Sequence, residues 1–175
     1  MNESLRAIWQ ELGIAEAILA EKRLCIYEEA TALVDVETGL DGRVWQLTVE
    51  AAAAWRAMQA AAAGDGVTLR IASAYRATAR QGELIRRKLD AGQPLSTILQ
   101  VLAPPGCSEH HTGRAVDVFS PGGPVVEEAF EQTPAFAWLQ AHASQFGFTL
   151  SFPRDNRYGY VYEPWHWCYQ PPAQV

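Results

Sequence analysis

Cysteine, basic charge and long apolar runs are all scarce in this chain of 175 residues, and each scarcity excludes something. Only three cysteines are present, Cys25, Cys107 and Cys168. An odd number at wide spacings is a poor disulfide framework, so a reducing compartment is expected. Lys and Arg total 14 against 20 Asp and Glu, a formal net charge of −6, dispersed without an acidic or basic tail. A general nucleic-acid binder would carry a basic stripe, so no nucleic-acid partner is expected. No stretch approaches the ~20 apolar residues of a membrane span. Met1-Asn2-Glu3-Ser4 lacks a basic n-region, and the residues after it alternate polar with apolar instead of forming a signal-peptide core. The expected location is therefore cytoplasmic; a periplasmic one would require a signal already removed. There is no repeat, low-complexity tract or linker.

What remains is the composition of an ordinary globular protein, 49% hydrophobic and 19% charged, at a length that suits one domain with a real core. Residues 3–20 place Leu5, Ile8, Trp9, Leu12, Ile14 and Ile18 at mostly helical spacing, predicting an amphipathic helix that ends near Lys22. Short strands are expected at 24–27, 32–36 and 44–47, around turn-forming residues such as Gly39-Leu40-Asp41-Gly42. Ala-rich 48–63 reads as a helix with Thr48 as its N-cap. A β-branched strand at 67–73 delivers Tyr75 and Arg76 to a loop. Helices follow at 78–89 and 96–102, then a strand at 114–119 carrying Asp117, a helix at 133–146, and final strands at 147–150 and 165–169. The order of elements predicts a single α+β domain, residues 1–175. Its first 50 residues are an N-terminal helix and short strands, and residues 65–170 hold the candidate chemistry.

That chemistry begins with Ser108-Glu109-His110-His111-Thr112-Gly113-Arg114-Ala115-Val116-Asp117 and ends with Glu163-Pro164-Trp165-His166. Together they offer imidazoles and a carboxylate as metal ligands, with a second carboxylate three residues before the last His. Zinc takes N and O donors at about 2.0–2.2 Å, and a catalytic site supplies three while leaving a position for water. A nearby non-ligating Glu is what such a water needs to become a nucleophile. His110 and His111 adjoin, and an extended backbone would point them apart, so one ligand is expected from the pair. Spacing alone leaves open which one. Asp117 is a carboxylate among Ala, Val and Phe, needing a metal or a salt bridge to Arg76 or Arg114. Pro164 interrupts a regular ladder, which lets Glu163 and His166 converge. His142, inside the 133–146 helix, has no ligand-type partner at i+3 or i+4 and reads as structural.

A rival metal site uses Cys107-x-x-His110 with His166-x-Cys168, the inventory of a closed structural zinc site. It leaves Asp117 and Glu163 without a role. Ser73-Ala74-Tyr75-Arg76, with Gln81 five residues beyond the Arg, adds a guanidinium able to clamp a carboxylate or a developing oxyanion.

These blocks, in this order and spacing over about residues 65–170, closely resemble the zinc D-alanyl-D-alanine carboxypeptidases of the vancomycin-resistance type and the related peptidoglycan L,D-carboxypeptidases. Residues 1–50 lie outside the resemblance. It implies a small antiparallel sheet with helices packed on it, as in the wider superfamily with a hedgehog-like fold. It implies zinc held by His110, Asp117 and His166, and so resolves the histidine pair. Glu163 becomes the general base and acid, and Arg76 serves the scissile carbonyl's oxyanion or the substrate carboxylate. Ser73, Tyr75, Gln81, Ser108 and Trp165 are implied as substrate contacts. Two positions depart from the pattern: His111 stands where Gln is common and could tune substrate contacts, and Cys168 stands where Arg is frequent. The implied substrate is a peptidoglycan stem peptide or muropeptide. The cytoplasmic expectation favours an L,D-carboxypeptidase that trims tetrapeptides in wall recycling, with a D,D-carboxypeptidase on pentapeptides as the alternative and a non-catalytic zinc-binding module as a further one.

Overall fold

The computed structural model describes residues 1–171, and its architecture can be followed outward from one row of side chains on a four-stranded sheet. The strands β3 (Arg70–Ser73), β4 (Ala115–Phe119), β5 (Phe148–Leu150) and β6 (His166–Tyr169) stand in the order β3-β4-β6-β5, with every neighbouring pair antiparallel. Alternation along the strands sends Ile71, Val116, Val118 and Trp167 into the main core. Helix α3 (Val49–Gly64) covers that core with Ala51, Ala52, Trp55, Met58 and Ala62, and α6 (Pro134–His142) adds Ala135, Trp138 and Leu139. Thr48 caps α3 as expected, its Oγ1 accepting from the Ala51 amide at 3.4 Å. Before α3, β1 (Leu33–Thr38) and β2 (Val44–Thr48) form a separate antiparallel hairpin.

A second, smaller core lies on the N-terminal side. Helix α1 (Glu3–Leu12) buries Leu5, Trp9 and Leu12 against Ile85 of α4 (Thr78–Asp90) and Ile98 and Leu99 of α5 (Leu95–Val101). The helices approach closely because position 82 is Gly: a Cβ there would come within 3.2 Å of Ile8 Cγ2. Trp9 Nε1 donates to the Pro105 carbonyl at 2.8 Å, tying α1 to the loop that precedes the histidine motif.

Several expected elements change on this frame. The helix predicted over 3–20 stops at Leu12, because Gly13 adopts φ 71° and closes α1 with Ile14 N bonding back to the Trp9 carbonyl; a single turn, α2 (Ile18–Glu21), follows. Residues 24–27 are not a strand. They belong to an extended strap that bonds to loops instead of to a ladder, through Tyr27 N to Gly106 O and Ala30 N to His111 O, both 2.8 Å. The strand expected from 67 begins at Arg70, since Val67 N is used to close α3 on the Ala62 carbonyl. The helix expected over 133–146 is α6 to His142 and then a 3₁₀ turn, Ala143–Phe146, ended by Gly147 at φ 79°. No helix among the described residues is long and apolar enough to cross a membrane.

Candidate active site

The polar face of the sheet assembles the site. Asp117 on β4 is paired with Ser73 on β3 and with His166 on β6, so three polar side chains stand in one row across three strands. A register irregularity between Ile71 and Ser73 precedes the row, the kind of bulge that re-aims side chains beside functional sites. His110 comes from outside the sheet, on a 3₁₀ turn, Glu109–Thr112, that Ser108 caps by accepting from His110 N at 3.3 Å. Gly113 ends the turn at φ 63°, and a Cβ there would strike Leu33 at 2.8 Å, so the motif's glycine is required twice over. The two adjacent histidines diverge because of this turn, not because of the extended backbone that their adjacency suggests.

His110, Asp117 and His166 converge with candidate ligand atoms all within 4.8 Å of one another. Asp117 Oδ1 lies 3.0 Å from His166 Nδ1, and its Oδ2 lies 3.3 Å from His110 Nε2. Burial alone would raise the Asp117 pKa, but the two imidazoles hold it far below the usual carboxylate range. Burial pushes His110 down to about 4, leaving it neutral with a lone pair to offer. Burial also opposes charge on His166, yet hydrogen bonds to Asp117 and Glu109 carry it up to about 10. Two imidazole nitrogens and one carboxylate oxygen, buried and convergent, fit the three-ligand donor set of catalytic zinc. Among the described residues this is the one such cluster of His, Cys, Asp and Glu. The rival set with Cys107 and Cys168 is not assembled, and all three cysteines are unpaired.

Glu163 sits beside the cluster, its Oε2 4.0 Å from His166 Nδ1. Burial, reinforced by the Asp117 charge, lifts it to about 7, against the pull of His166 and Arg76. That places a carboxyl near the protonation balance a general base and acid requires. The Arg76 guanidinium lies 4.0 Å from Asp117 Oδ2. Its guanidinium donates to Gln81 Oε1 at 3.0 Å and to Ser73 Oγ at 3.3 Å, while Gln81 Nε2 anchors on the Ala103 carbonyl at 2.7 Å.

Arg76, Gln81, Ser108, His110, Asp117, Glu163, Trp165 and His166 line one cleft of about 380 Å³. Ser73 and Tyr75 do not line it. Ser73 reaches the site through Arg76, and the Tyr75 hydroxyl donates to Glu29 at 3.0 Å, where Glu29 also accepts from Thr78 N at 2.8 Å. Glu29 thus fastens the strap to Tyr75 and to the start of α4. His111 faces inward as well, contrary to a role in tuning substrate contacts. It is fully buried, its Nδ1 donating to the Arg76 carbonyl at 2.5 Å while Nε2 accepts from Gly106 N at 3.0 Å.

Residues that motif reading passed over complete the wall. Glu109 Oε2 lies 3.0 Å from His166 Nε2 and accepts from Ser151 Oγ at 2.5 Å. The Phe152 ring packs against His166 with centroids 4.7 Å apart. Val101, Val126, Tyr160 and Val161 rim the cleft. Glu109 had a signal in its place next to a candidate ligand histidine; Ser151 and Phe152 had none.

With this geometry in hand, comparisons with known proteins converge. A family model for VanY, D-alanyl-D-alanine carboxypeptidase, matches residues 45–172. The YodJ protein of Bacillus subtilis (strain 168) is 33% identical over 150 residues, 82% of this chain and 54% of that protein. The chain spans about half the length of the curated relatives it matches. Among solved structures, the LdcB LD-carboxypeptidase superposes with a TM-score of 0.71 at 34% identity, covering 81% of this chain and 69% of that one. The vancomycin-resistance D,D-pentapeptidase VanY, solved with Zn(II), superposes at 0.62 with 27% identity, covering 81% and 82%.

Proposed function

This chain belongs to the VanY family of D-alanyl-D-alanine carboxypeptidases, and we propose that it is a zinc carboxypeptidase that removes the C-terminal D-alanine from peptidoglycan stem peptides. One observation carries the reading: His110, Asp117 and His166 converge in a cleft that also holds Glu163 and Arg76.

In this reading His110, Asp117 and His166 hold the zinc, which when bound supplies Lewis acidity and brings the pKa of water towards about 7. Glu163 takes the proton from the attacking water, keeps it in its buried setting, and returns it to the leaving D-alanine amine. Arg76 presents its guanidinium to the charge that develops on the scissile carbonyl oxygen. Gln81 and Ser73 hold that guanidinium in place beforehand, so little reorganisation is needed as the charge appears. Ser108 and Trp165, on the cleft wall, are the contacts left for the peptide itself.

For the bond cut, we take the L,D reading: loss of D-alanine from the L-centre of tetrapeptides, as a step in muropeptide recycling. The greater likeness to LdcB than to VanY supports it, at 34% against 27% identity. Three unpaired cysteines suit the reducing compartment in which recycling takes place. The test is D-alanine release from a disaccharide tetrapeptide and, separately, a pentapeptide, followed by mass spectrometry. Loss of one alanine from the tetrapeptide is expected; cleavage of the pentapeptide alone would make the protein a D,D-carboxypeptidase.

A further inference from the structure

The two ligand imidazoles are held in unequal ways. His110 Nε2 faces Asp117, and its Nδ1 is buried without a hydrogen-bond partner among the described residues. His166 is gripped at both nitrogens, by Asp117 at Nδ1 and by Glu109 at Nε2, each at 3.0 Å. Glu109 is itself fixed. Its side chain is 14% exposed, one carboxylate oxygen accepts from Ser151 Oγ, and its backbone carbonyl accepts from Thr112 Oγ1 at 2.6 Å. It is also the residue before His110 on the same 3₁₀ turn.

We propose that Glu109 is the positioning residue of this metal centre: its carboxylate accepts the Nε2–H of His166, which fixes the ring's tautomer and rotation and commits Nδ1 to the metal. This rests on the reading of His110, Asp117 and His166 as a metal site. The chemistry is general, because an imidazole with a proton on one nitrogen has its lone pair on the other, and a carboxylate on the N–H raises the basicity of that lone pair. The fold makes the arrangement economical. One turn sends His110 to the centre from one side and Glu109 to the back of His166 from the other, so the two ligand histidines share a single rigid support. Ser151, one residue beyond β5, takes the hydroxyl place behind Glu109 and continues the chain of contacts Ser151–Glu109–His166. The Phe152 ring packs against the His166 ring at a tilt of 40°, adding an apolar contact to the two polar ones.

The test is zinc affinity, by competition with a chromophoric chelator, for the wild type, Glu109→Gln, Glu109→Ala and His166→Ala, with kcat and KM on the same preparations. Loss of zinc affinity by about ten- to hundredfold is expected for Glu109→Ala. Glu109→Gln, which keeps the size and one acceptor oxygen, should fall between it and the wild type. The Co(II)-loaded variants should show shifted d–d bands, since the ring angle changes while the ligands do not. Wild-type zinc affinity in both Glu109 variants with a raised KM would overturn the proposal and make Glu109 a substrate contact. If His166→Ala also binds zinc normally, it is the metal-site reading that fails instead.

Discussion

Asp117 and His166 stand directly opposite one another across the β4–β6 ladder, with Oδ1 3.0 Å from Nδ1. Opposed residues in an antiparallel pair present their side chains on the same face, so pairing register alone brings these two groups together. A slip of one residue would turn Asp117 towards the core and put Val116 or Val118 in the polar row in its place. The core therefore enforces the site: Val116 and Val118, both fully buried, lock the register that presents Asp117.

Arg76 is held as a planar fork, with Gln81, Ser73 and Asp117 each meeting its guanidinium. A lysine is a point charge that cannot meet all three. Arg76→Lys is expected to lower kcat/KM by about 10²–10³, the scale of losing one oxyanion donor, with stoichiometric zinc retained. Steady-state kinetics with metal analysis checks this. An unchanged kcat/KM would remove Arg76 from the chemistry.

Much of this centre was legible in the sequence. Asp117 was marked by being a carboxylate within an apolar strand, and Glu163 with His166 by the proline between them. The turns were harder to read. Adjacency suggests an extended His110–His111 pair pointing apart, but the Ser108 cap and Gly113 wind it into a 3₁₀ turn. Leu24–Tyr27 has the composition of a strand, yet its amides find partners off the ladder, Leu24 N on the Leu19 carbonyl and Tyr27 N on the Gly106 carbonyl. Gly13 ended a helix that hydrophobic spacing alone carried onward. Glu109 was the largest omission, since its partner His166 lies 57 residues away and only the tertiary fold brings them together.

The acid limb of the pH–rate profile follows from Glu163, which burial lifts to about 7. As a base it must be ionised, so activity falls as pH drops through its pKa. A bound cation favours the carboxylate, so the limb in the working enzyme lies at or below about 7. Measured kcat/KM between pH 5 and 8 on zinc-loaded protein should decline on the acid side. A rise on acidification would contradict an ionised Glu163 as base.

Trp9 couples the N-terminal helix to the loop before the motif, with its ring 1% exposed and its Nε1 on the Pro105 carbonyl. Trp9→Ala is expected to cost about 3–5 kcal/mol in urea unfolding, the usual range for a large buried aromatic. A loss below about 1 kcal/mol would show that α1 contributes little to the domain's stability.

The central claim is that one buried carboxylate, Glu163, carries the proton for hydrolysis at a zinc centre made by His110, Asp117 and His166. The most direct measurement is D-alanine release by wild type and Glu163→Gln at matched, stoichiometric zinc, with and without chelator. The account predicts chelator-sensitive release by the wild type and a fall in turnover of at least about 10²–10⁴ in the variant, with its zinc intact. Near-normal turnover in Glu163→Gln, or release that persists after the metal is stripped, would contradict it.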